Sequence, residues 1–491
     1  MRTFSLLIVS IVFNSGFAFA QNEVDALRYS QTYFGGTARY MSMAGSFGAL
    51  GADVSTIGSN PAGLGLFKKS EFSITPGFFI GQTKSDFNGS QRSDSRNNFN
   101  LSNFGMVLTS ESGGKSNSFL KHFQFAFSYN RINNFSNRML AEGYNNQSSI
   151  VNTYVDNANG IHYLDIEENL YGMYSYDLYP AWWTYLIDTL PGNTTLYRGA
   201  VPYGAGIYQR KELESWGSMN EYSLALGANF GDKVYLGASF AFPTIRYYEI
   251  SYYNEIDVNN EIDDFRSLSI YDDLHTSGSG FNMKFGVIVR ATDNIRIGGA
   301  VQSPTWYNNM KDYWYSEFRT EFDNNDVYVQ GSPYGYYDYE LETPWKATAG
   351  VSFILWKMAL ISADYEYINY TKSNLRGYDY SFYDENTTIK NLYTETHNIR
   401  VGSEVKFGYF AMRAGFGYYM SPYANNINDG ERLYYTGGIG FRDKNFFVDL
   451  AYVRSSSKED YYFYGSENVQ TEPVKNHLIT NNVLLTLGFR Y

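Results

Sequence analysis

Phe281–Val301, FNMKFGVIVRATDNIRIGGAV, is the stretch that decides the fold. Phe281, Met283, Phe285, Val287 and Val289 are apolar at every second position. After the tight turn Ala291–Asn294 the pattern resumes at Ile295, Ile297, Gly299 and Val301. A period of two marks a strand, and two such runs across a short turn mark an antiparallel pair. The alternate positions carry Lys284, Arg290 and Arg296, so each strand has one apolar face and one polar face.

The same pattern extends in both directions. Towards the N-terminus it recurs around Phe72–Ile80, Phe104–Leu108, Phe123–Tyr129, Tyr222–Phe230 and Val234–Phe242. Towards the C-terminus it recurs around Trp345–Phe353, Ile361–Tyr367, Ile399–Val405, Phe410–Tyr418, Tyr435–Phe441, Phe446–Tyr452 and Val483–Tyr491. With the central pair this makes fourteen strands. The polar faces also hold Lys346, Asp364, Glu366, Arg400, Glu404, Lys406, Arg413 and Asp449.

A β-sandwich alternates in the same way, but two features favour a membrane barrel. Gly231-Asp232, Ala291–Asn294, Leu355–Lys357, Phe407-Gly408 and Asp443-Lys444 are tight turns. Between them lie long segments at 132–217, 248–278, 305–339, 371–393, 421–431 and 457–477. Short turns at one end and long loops at the other are the outer-membrane pattern. The chain also ends on Phe489-Arg490-Tyr491, which closes the last strand with an outward aromatic. The expected fold is an all-β transmembrane antiparallel barrel of about fourteen strands.

Composition agrees. The 491 residues include 48 Tyr, 36 Phe and 45 Gly, and the mean hydropathy is −0.37. Abundant aromatics with low average hydropathy suit strands that are apolar on one face only. A net charge of −12 disfavours nucleic acid as a partner. With no cysteine there is no disulfide framework and no thiolate chemistry. Residues 1–20 read as a signal peptide, with Arg2, an apolar run Phe4–Phe13 and the cleavage site Ala18-Phe19-Ala20 before Gln21. The expected domains are therefore a signal peptide at 1–20, an N-terminal hatch at 21–69 and a barrel at 70–491.

The hatch contains Tyr40–Phe67, YMSMAGSFGALGADVSTIGSNPAGLGLF, which is small-residue-rich and aperiodic. A barrel of this width has a lumen to fill. Gly45, Gly48, Gly51, Gly58, Gly63 and Gly65 allow close backbone approach. Pro61 fixes a turn after Asn60, whose side chain suits a bond to the backbone two residues on.

Met43-Ala44-Gly45 and Gly58-Ser59-Asn60-Pro61-Ala62-Gly63 resemble the hatch of FadL/TodX-type outer-membrane transporters of hydrophobic compounds. Gly278–Gly286 and Val301–Thr305 resemble adjacent strands of the same family, in the style of its Bacteroidetes-type members. The resemblance spans about residues 30–491. It implies a plugged fourteen-stranded barrel in the bacterial outer membrane. A hydrophobic ligand would be captured among outer loops and released sideways through a gap at a kinked third strand. The outer segment 132–217 departs from better-known members in length and aromatic content.

Candidate hatch or gate residues are Gly58, Asn60, Pro61, Ala62 and Gly63. Their alternative role is a structural turn without ligand contact. Trp182, Trp183 and Tyr185, within Pro180–Ile187, form either an apolar landing site or the packing of a folded cap. Arg400 and Arg413 either bind an anionic head group or pair with Asp364, Glu366, Glu404 or Asp449 and hold the hatch.

Catalytic signals are weak. Ala44-Gly45-Ser46-Phe47-Gly48 misses a nucleophile elbow by one residue. His122, His162, His275, His397 and His477 have no metal spacing, and the chain is expected to use no cofactor or metal. Glu255, Asp257, Glu261, Asp263 and Asp264 read as a solvated acidic loop rather than a Ca²⁺ site. The expected function is passive uptake of hydrophobic small molecules, such as long-chain fatty acids, by a non-enzymatic, monomeric barrel seated in outer-membrane lipid. An alternative is a surface receptor or adhesin acting through its Tyr/Asn-rich loops. An open polar porin is disfavoured by the plug.

Overall fold

The computed structural model describes residues 22–111, 119–356 and 358–491. The signal peptide expected at 1–20, and Lys357 of the expected Leu355–Lys357 turn, lie outside the described residues.

The wall opens with β1 (Glu71–Phe87), β2 (Ser90–Glu111) and β3 (Leu120–Asn134), the last continued by β4 (Asn137–Asn145). A small pair, β5 (Ile187–Thr189) and β6 (Tyr197–Gly199), belongs to the outer segment that follows. The wall resumes with β7 (Ile207–Phe230), β8 (Val234–Ile256) and β9 (Phe265–Arg290). Next come β10 (Ile295–Gln302), β11 (Trp306–Phe322), β12 (Val327–Gly331), β13 (Gly335–Glu342) and β14 (Lys346–Leu355). β15 (Ala359–Asn369), β16 (Asn374–Gly377), β17 (Glu395–Phe407) and β18 (Phe410–Tyr419) follow. β19 (Arg432–Arg442), β20 (Phe446–Tyr461) and β21 (Val474–Arg490) complete the wall.

β10 and β11 share one wall position, both pairing with β9, and the break between them contains Pro304, which has no N–H for a ladder. β13 and β14 share the next position, and β15 and β16 the one after. β21 pairs back onto β1 from Arg490 opposite Glu71 to Lys475 opposite Asp86. The result is a closed antiparallel barrel of 14 strands, and each strand read from the sequence falls on one of them.

Alternation sorts side chains between lipid and lumen. Phe78, Leu224, Leu226, Leu236, Val287, Ile399, Leu450 and Leu485 are exposed on the outside. Their neighbours Phe79, Ala225, Tyr235, Ile288, Ala451 and Leu484 are buried. In a closed ladder the backbone is satisfied internally, so an exterior apolar band fits hydrocarbon. Among the described residues no helix is long and apolar enough to cross a membrane.

Two expected loops are strand instead. The segments 248–278 and 305–339 are largely the upper parts of β8, β9, β11 and β13, together with β12. Above an apolar band a ribbon need not alternate in hydropathy, because both of its faces can be polar or aromatic. Glu255, expected in a solvated acidic loop, lies in β8 and is fully buried. Its carboxylate accepts from the Ile150 N–H at 2.9 Å, the Gln209 amide at 2.8 Å and the Tyr253 hydroxyl at 2.6 Å. It thereby pins the start of the outer helix α3 (Ile150–Ala158), a register in which a carboxylate opposes orphan N–H groups.

The N-terminal segment lies inside the ring. It includes α1 (Glu23–Ser30), α2 (Ala38–Met41) and two 3₁₀ turns, Val54–Gly58 and Pro61–Leu66. Its backbone is bonded to wall side chains on several sides. Thr486 accepts from the Ala38 N–H at 2.7 Å, Thr436 donates to the Ser42 carbonyl at 2.9 Å, and Asp364 accepts from the Gly48 N–H at 2.8 Å. Arg296 donates to the Leu50 carbonyl at 2.7 Å and Gln124 to the Phe67 carbonyl at 2.9 Å. These bonds answer the question of where an irregular buried backbone places its polar groups.

Candidate functional site at the opening between β2 and β3

The ladder between β2 and β3 runs from Glu111 opposite His122 to Asn103 opposite Asn130 and stops there. Above that point the described part of β2 pairs with β1 alone, from Leu101 opposite Pro76 to Ser90 opposite Phe87. β3 keeps its other partner, reaching Asn134 opposite Ser218 of β7, with a bulge between Arg131 and Asn133. Phe135 and Ser136 interrupt the strand, and β4 then resumes pairing with β7 at Asn137 opposite Ser215. The third wall strand therefore leaves the second, and the barrel is unzipped on one side.

Beyond the break β4 packs against the β1–β2 ribbon instead of pairing with it. Thr83 donates to Asn137 at 2.6 Å, and Asn88 donates to the Tyr144 carbonyl at 3.0 Å. A Cβ added at Gly81 would lie 2.8 Å from the Ser136 carbonyl, and one at Gly143 2.8 Å from the Phe87 carbonyl. Glycine at these two positions lets the backbones approach that closely. Opposite the break, Gly217 adopts φ +117°, and its N-terminal neighbours on β7 follow the bend.

The kink is held from inside. Phe135 turns into the lumen and meets Tyr247 edge-on at 5.1 Å and Tyr29 of α1 at 6.2 Å. The Ile132 carbonyl accepts from the Tyr33 N–H at 2.9 Å, and the Asn133 side chain donates to the Gln31 carbonyl at 3.2 Å. The N-terminal segment thus bonds one backbone carbonyl of the third strand where the ladder to β2 has ended.

A cavity of about 1230 Å³ adjoins this opening. Its lower wall includes Phe79, Gly81, Asn100, Ser102, the run Arg131–Asn137 and Met139, and its inner wall includes Arg28, Tyr33–Gly36 and Met41. Its upper rim is the 461–473 connection between β20 and β21. A second, much smaller cavity of about 70 Å³ lies behind the N-terminal segment and is lined by Gly58, Glu221, Lys284, Lys346, Glu366 and Arg400, among others.

The residues singled out in the sequence divide between these places. Asn60 accepts from the Ala62 N–H at 3.1 Å and donates to the carbonyls of Gly48 at 2.6 Å and Val287 at 3.2 Å. Pro61 sits against Gly237 of the wall, where an added Cβ would collide with its backbone, and Gly63 packs on Gly51 and Thr56. Gly58 borders the small cavity, and none of these five residues lines the large one.

Arg413 donates to Glu404 and Asp449, each at 2.6 Å, and Arg39 of α2 donates to the same Glu404 oxygen at 3.1 Å. Arg400 lies 3.8 Å from Asp364 and faces the small cavity. Trp182 and Trp183 end α4 (Leu178–Trp183) in the outer cap. Trp182 stacks near Tyr163 at 5.8 Å, Trp183 donates to the Glu167 carbonyl at 3.3 Å, and Tyr185 meets Tyr328 at 4.6 Å. These three aromatics line neither of the two cavities.

Tyr33, Phe34, Arg131, Ile132 and Phe135 at the opening carry no motif that marks them in the sequence. The one local cue was Tyr33-Phe34-Gly35-Gly36, a paired aromatic and paired glycine beside the helix-start signal Thr37.

No protein-family model matches this chain, and no curated protein matches it in sequence. Solved structures match it in fold. A FadL homologue of Pseudomonas aeruginosa superposes with a TM-score of 0.54 at 12% identity, over 94% of this chain and 98% of that one. The Ralstonia pickettii toluene transporter TbuX gives 0.51 at 14%, over 93% and 99%. The P. putida toluene transporter TodX gives 0.50 at 11%, over 93% and 99%. The chain has the fold of these barrels along nearly its whole length.

Proposed function

We propose that this chain is a passive channel of the bacterial outer membrane for hydrophobic small molecules, with the N-terminal segment as its hatch. The observation that carries this reading is the unzipped wall above Asn103 and Asn130, beside a cavity large enough for a whole ligand. A ligand entering under the 461–473 rim reaches the opening without crossing the packed hatch. It then leaves sideways between β2 and the kinked third strand into the bilayer. The gradient of the ligand supplies the driving force. The neighbours named as toluene transporters support an apolar ligand, and long-chain fatty acids are another candidate class.

The Arg39–Glu404–Arg413–Asp449 cluster anchors the hatch to the wall. Gating is then a shift of residues 31–36 at the opening rather than release of the whole segment, because Asn60–Gly63 is packed on the wall below. The test is uptake of tritiated toluene and tritiated dodecanoate by cells that carry or lack the protein. Faster uptake of at least one probe is expected with the protein. Equal uptake of both probes in the two strains contradicts the reading.

A further inference from the structure

The cavity wall beside the opening is more polar than a conduit for bare hydrocarbon requires. Asn100, Ser102, Asn133, Asn134, Asn137 and Asn482 all line it. Three polar atoms there are buried without a partner among the described residues: Arg131 Nε, Ser136 Oγ and Asn482 Oδ1. Unpartnered buried polar atoms are uncommon in native proteins, and each such atom calls for a reason. All three belong to residues of one cavity.

Register places two of them around one point of the wall. Phe79 of β1 pairs with Asn482 of β21 on one side and with Asn98 of β2 on the other. Asn98 in turn accepts from Arg131 at 3.4 Å. Arg131 and Asn482 therefore stand on opposite sides of Phe79. One position along the same face is Gly77, where an added Cβ would meet Ser102 and come within 3.5 Å of the Asn100 and Asn482 carbonyl oxygens. One position the other way is Gly81, roofed by the Ser136 backbone. A large ring thus lies between two residues without side chains, with a donor on one side and an acceptor on the other.

The charge balance restricts what binds. Six carboxylate residues line the cavity against three arginines, and the whole chain carries a net charge of −12. A cavity of that sign repels free anions. A hydrocarbon leaves the three buried atoms unpaired, and such a site discriminates against molecules that lack matching groups.

We infer that the opening holds a head-group site, and that its ligand is an amphiphile with an uncharged head that both accepts and donates hydrogen bonds, such as an amide or an alcohol. Arg131 Nε donates to the head's oxygen, Asn482 Oδ1 accepts from its N–H or O–H, Ser136 completes the set, and the alkyl body lies along Phe79 and Phe34. This inference rests on the channel reading for the ligand's route, while the site itself is a matter of binding.

The experiment separates the two. Tritiated dodecanamide, dodecanoate and dodecane are equilibrated with the purified full-length protein in lipid nanodiscs, with empty nanodiscs subtracted. The same probes are then given to cells that carry or lack the protein. Dodecanamide is expected to be retained about tenfold better than dodecane, the worth of one or two hydrogen bonds, and better than dodecanoate. Asn482→Leu and Arg131→Leu are each expected to reduce dodecanamide retention about five- to tenfold and to leave dodecane unchanged. Equal retention of dodecane and dodecanamide overturns the site, as does preference for dodecanoate or an equal loss of all three probes in both variants. Selective retention without protein-dependent uptake of these probes or of toluene upholds the site and removes the channel reading.

Discussion

The backbone N–H of Tyr33 donates to the carbonyl of Ile132 at 2.9 Å, so the N-terminal segment is tied to the third strand where that strand leaves the second. Tyr33→Pro deletes this donor while keeping an extended backbone. The barrel is expected to fold, with amide exchange at residues 132–136 about tenfold faster, the worth of roughly one hydrogen bond. Exchange read by mass spectrometry checks this. Unchanged protection there means that β7 and the Phe135 cluster alone hold the kink.

Glu404 accepts from Arg39 of the N-terminal segment and from Arg413 of the wall, and all three side chains are buried. Removing one member of such a cluster leaves buried charge uncompensated, at a cost of about 3 kcal/mol or more. Glu404→Leu is expected to loosen α2 and make Arg39 a trypsin site, while the strands stay resistant. Limited proteolysis with mapping of the first cut tests it. A first cut elsewhere, with Arg39 intact, contradicts the anchoring role.

Asp156 of α3 fastens the rim of the large cavity. It accepts from the Ser466 hydroxyl at 2.6 Å and from Asn468 through its amide at 2.7 Å and its backbone N–H at 3.2 Å. Partial burial pushes the Asp156 carboxyl up, but these hydrogen bonds outweigh it and hold the group below its usual range. An acid held low gives stability above its ordinary pKa and loses it as pH falls through the lowered one. The rim is therefore expected to stay fastened at neutral pH and to release only in acid below the ordinary aspartate range. A spin label at Glu467→Cys, in a chain with no other cysteine, reports this as a rise in mobility. In Asp156→Ala the mobility should be high at every pH. A label equally mobile in both proteins at pH 7 rules the fastening out.

Leu226 is on the outer face of β7 and Ala225 on the inner face. Leu226→Arg puts a charge into the apolar band and is expected to cost roughly 2–4 kcal/mol if the position is near the midplane. Reversible unfolding in lipid vesicles measures it. A cost near zero would place Leu226 outside the hydrocarbon.

Much of this architecture was legible in the sequence for a physical reason. Within the apolar band each strand must alternate, so runs such as Phe281–Val289 and Val483–Phe489 declare themselves. The signal fades where lipid ends. Ser251–Ile256, SYYNEI, is strand, yet its two faces carry similar residues and alternation says nothing. The opening was least legible from the residues themselves. The third strand breaks at Phe135-Ser136, a pair with no proline or glycine, and the cause lies far away in sequence at Tyr29, Tyr33 and Tyr247. Resemblance to a family suggested a kinked third strand, and the residues that hold it emerged only from the packing. Asn60–Gly63 stood out by its turn chemistry, but that chemistry serves contact with the wall, whereas the large cavity meets the segment at residues 23–41.

In the proposed route, ligand reaches lipid through the opening between β2 and the third strand. A photoactivatable diazirine-alkyl amide, equilibrated with the protein in nanodiscs, irradiated and mapped by mass spectrometry, tests it most directly. Adducts are expected on Phe79, Asn100 and Ile132 inside, continuous with adducts on Phe99 and Leu101 at the lipid side of the opening. Adducts confined to the outer cap around Trp182 and Tyr185, with none on either side of the opening, would contradict it.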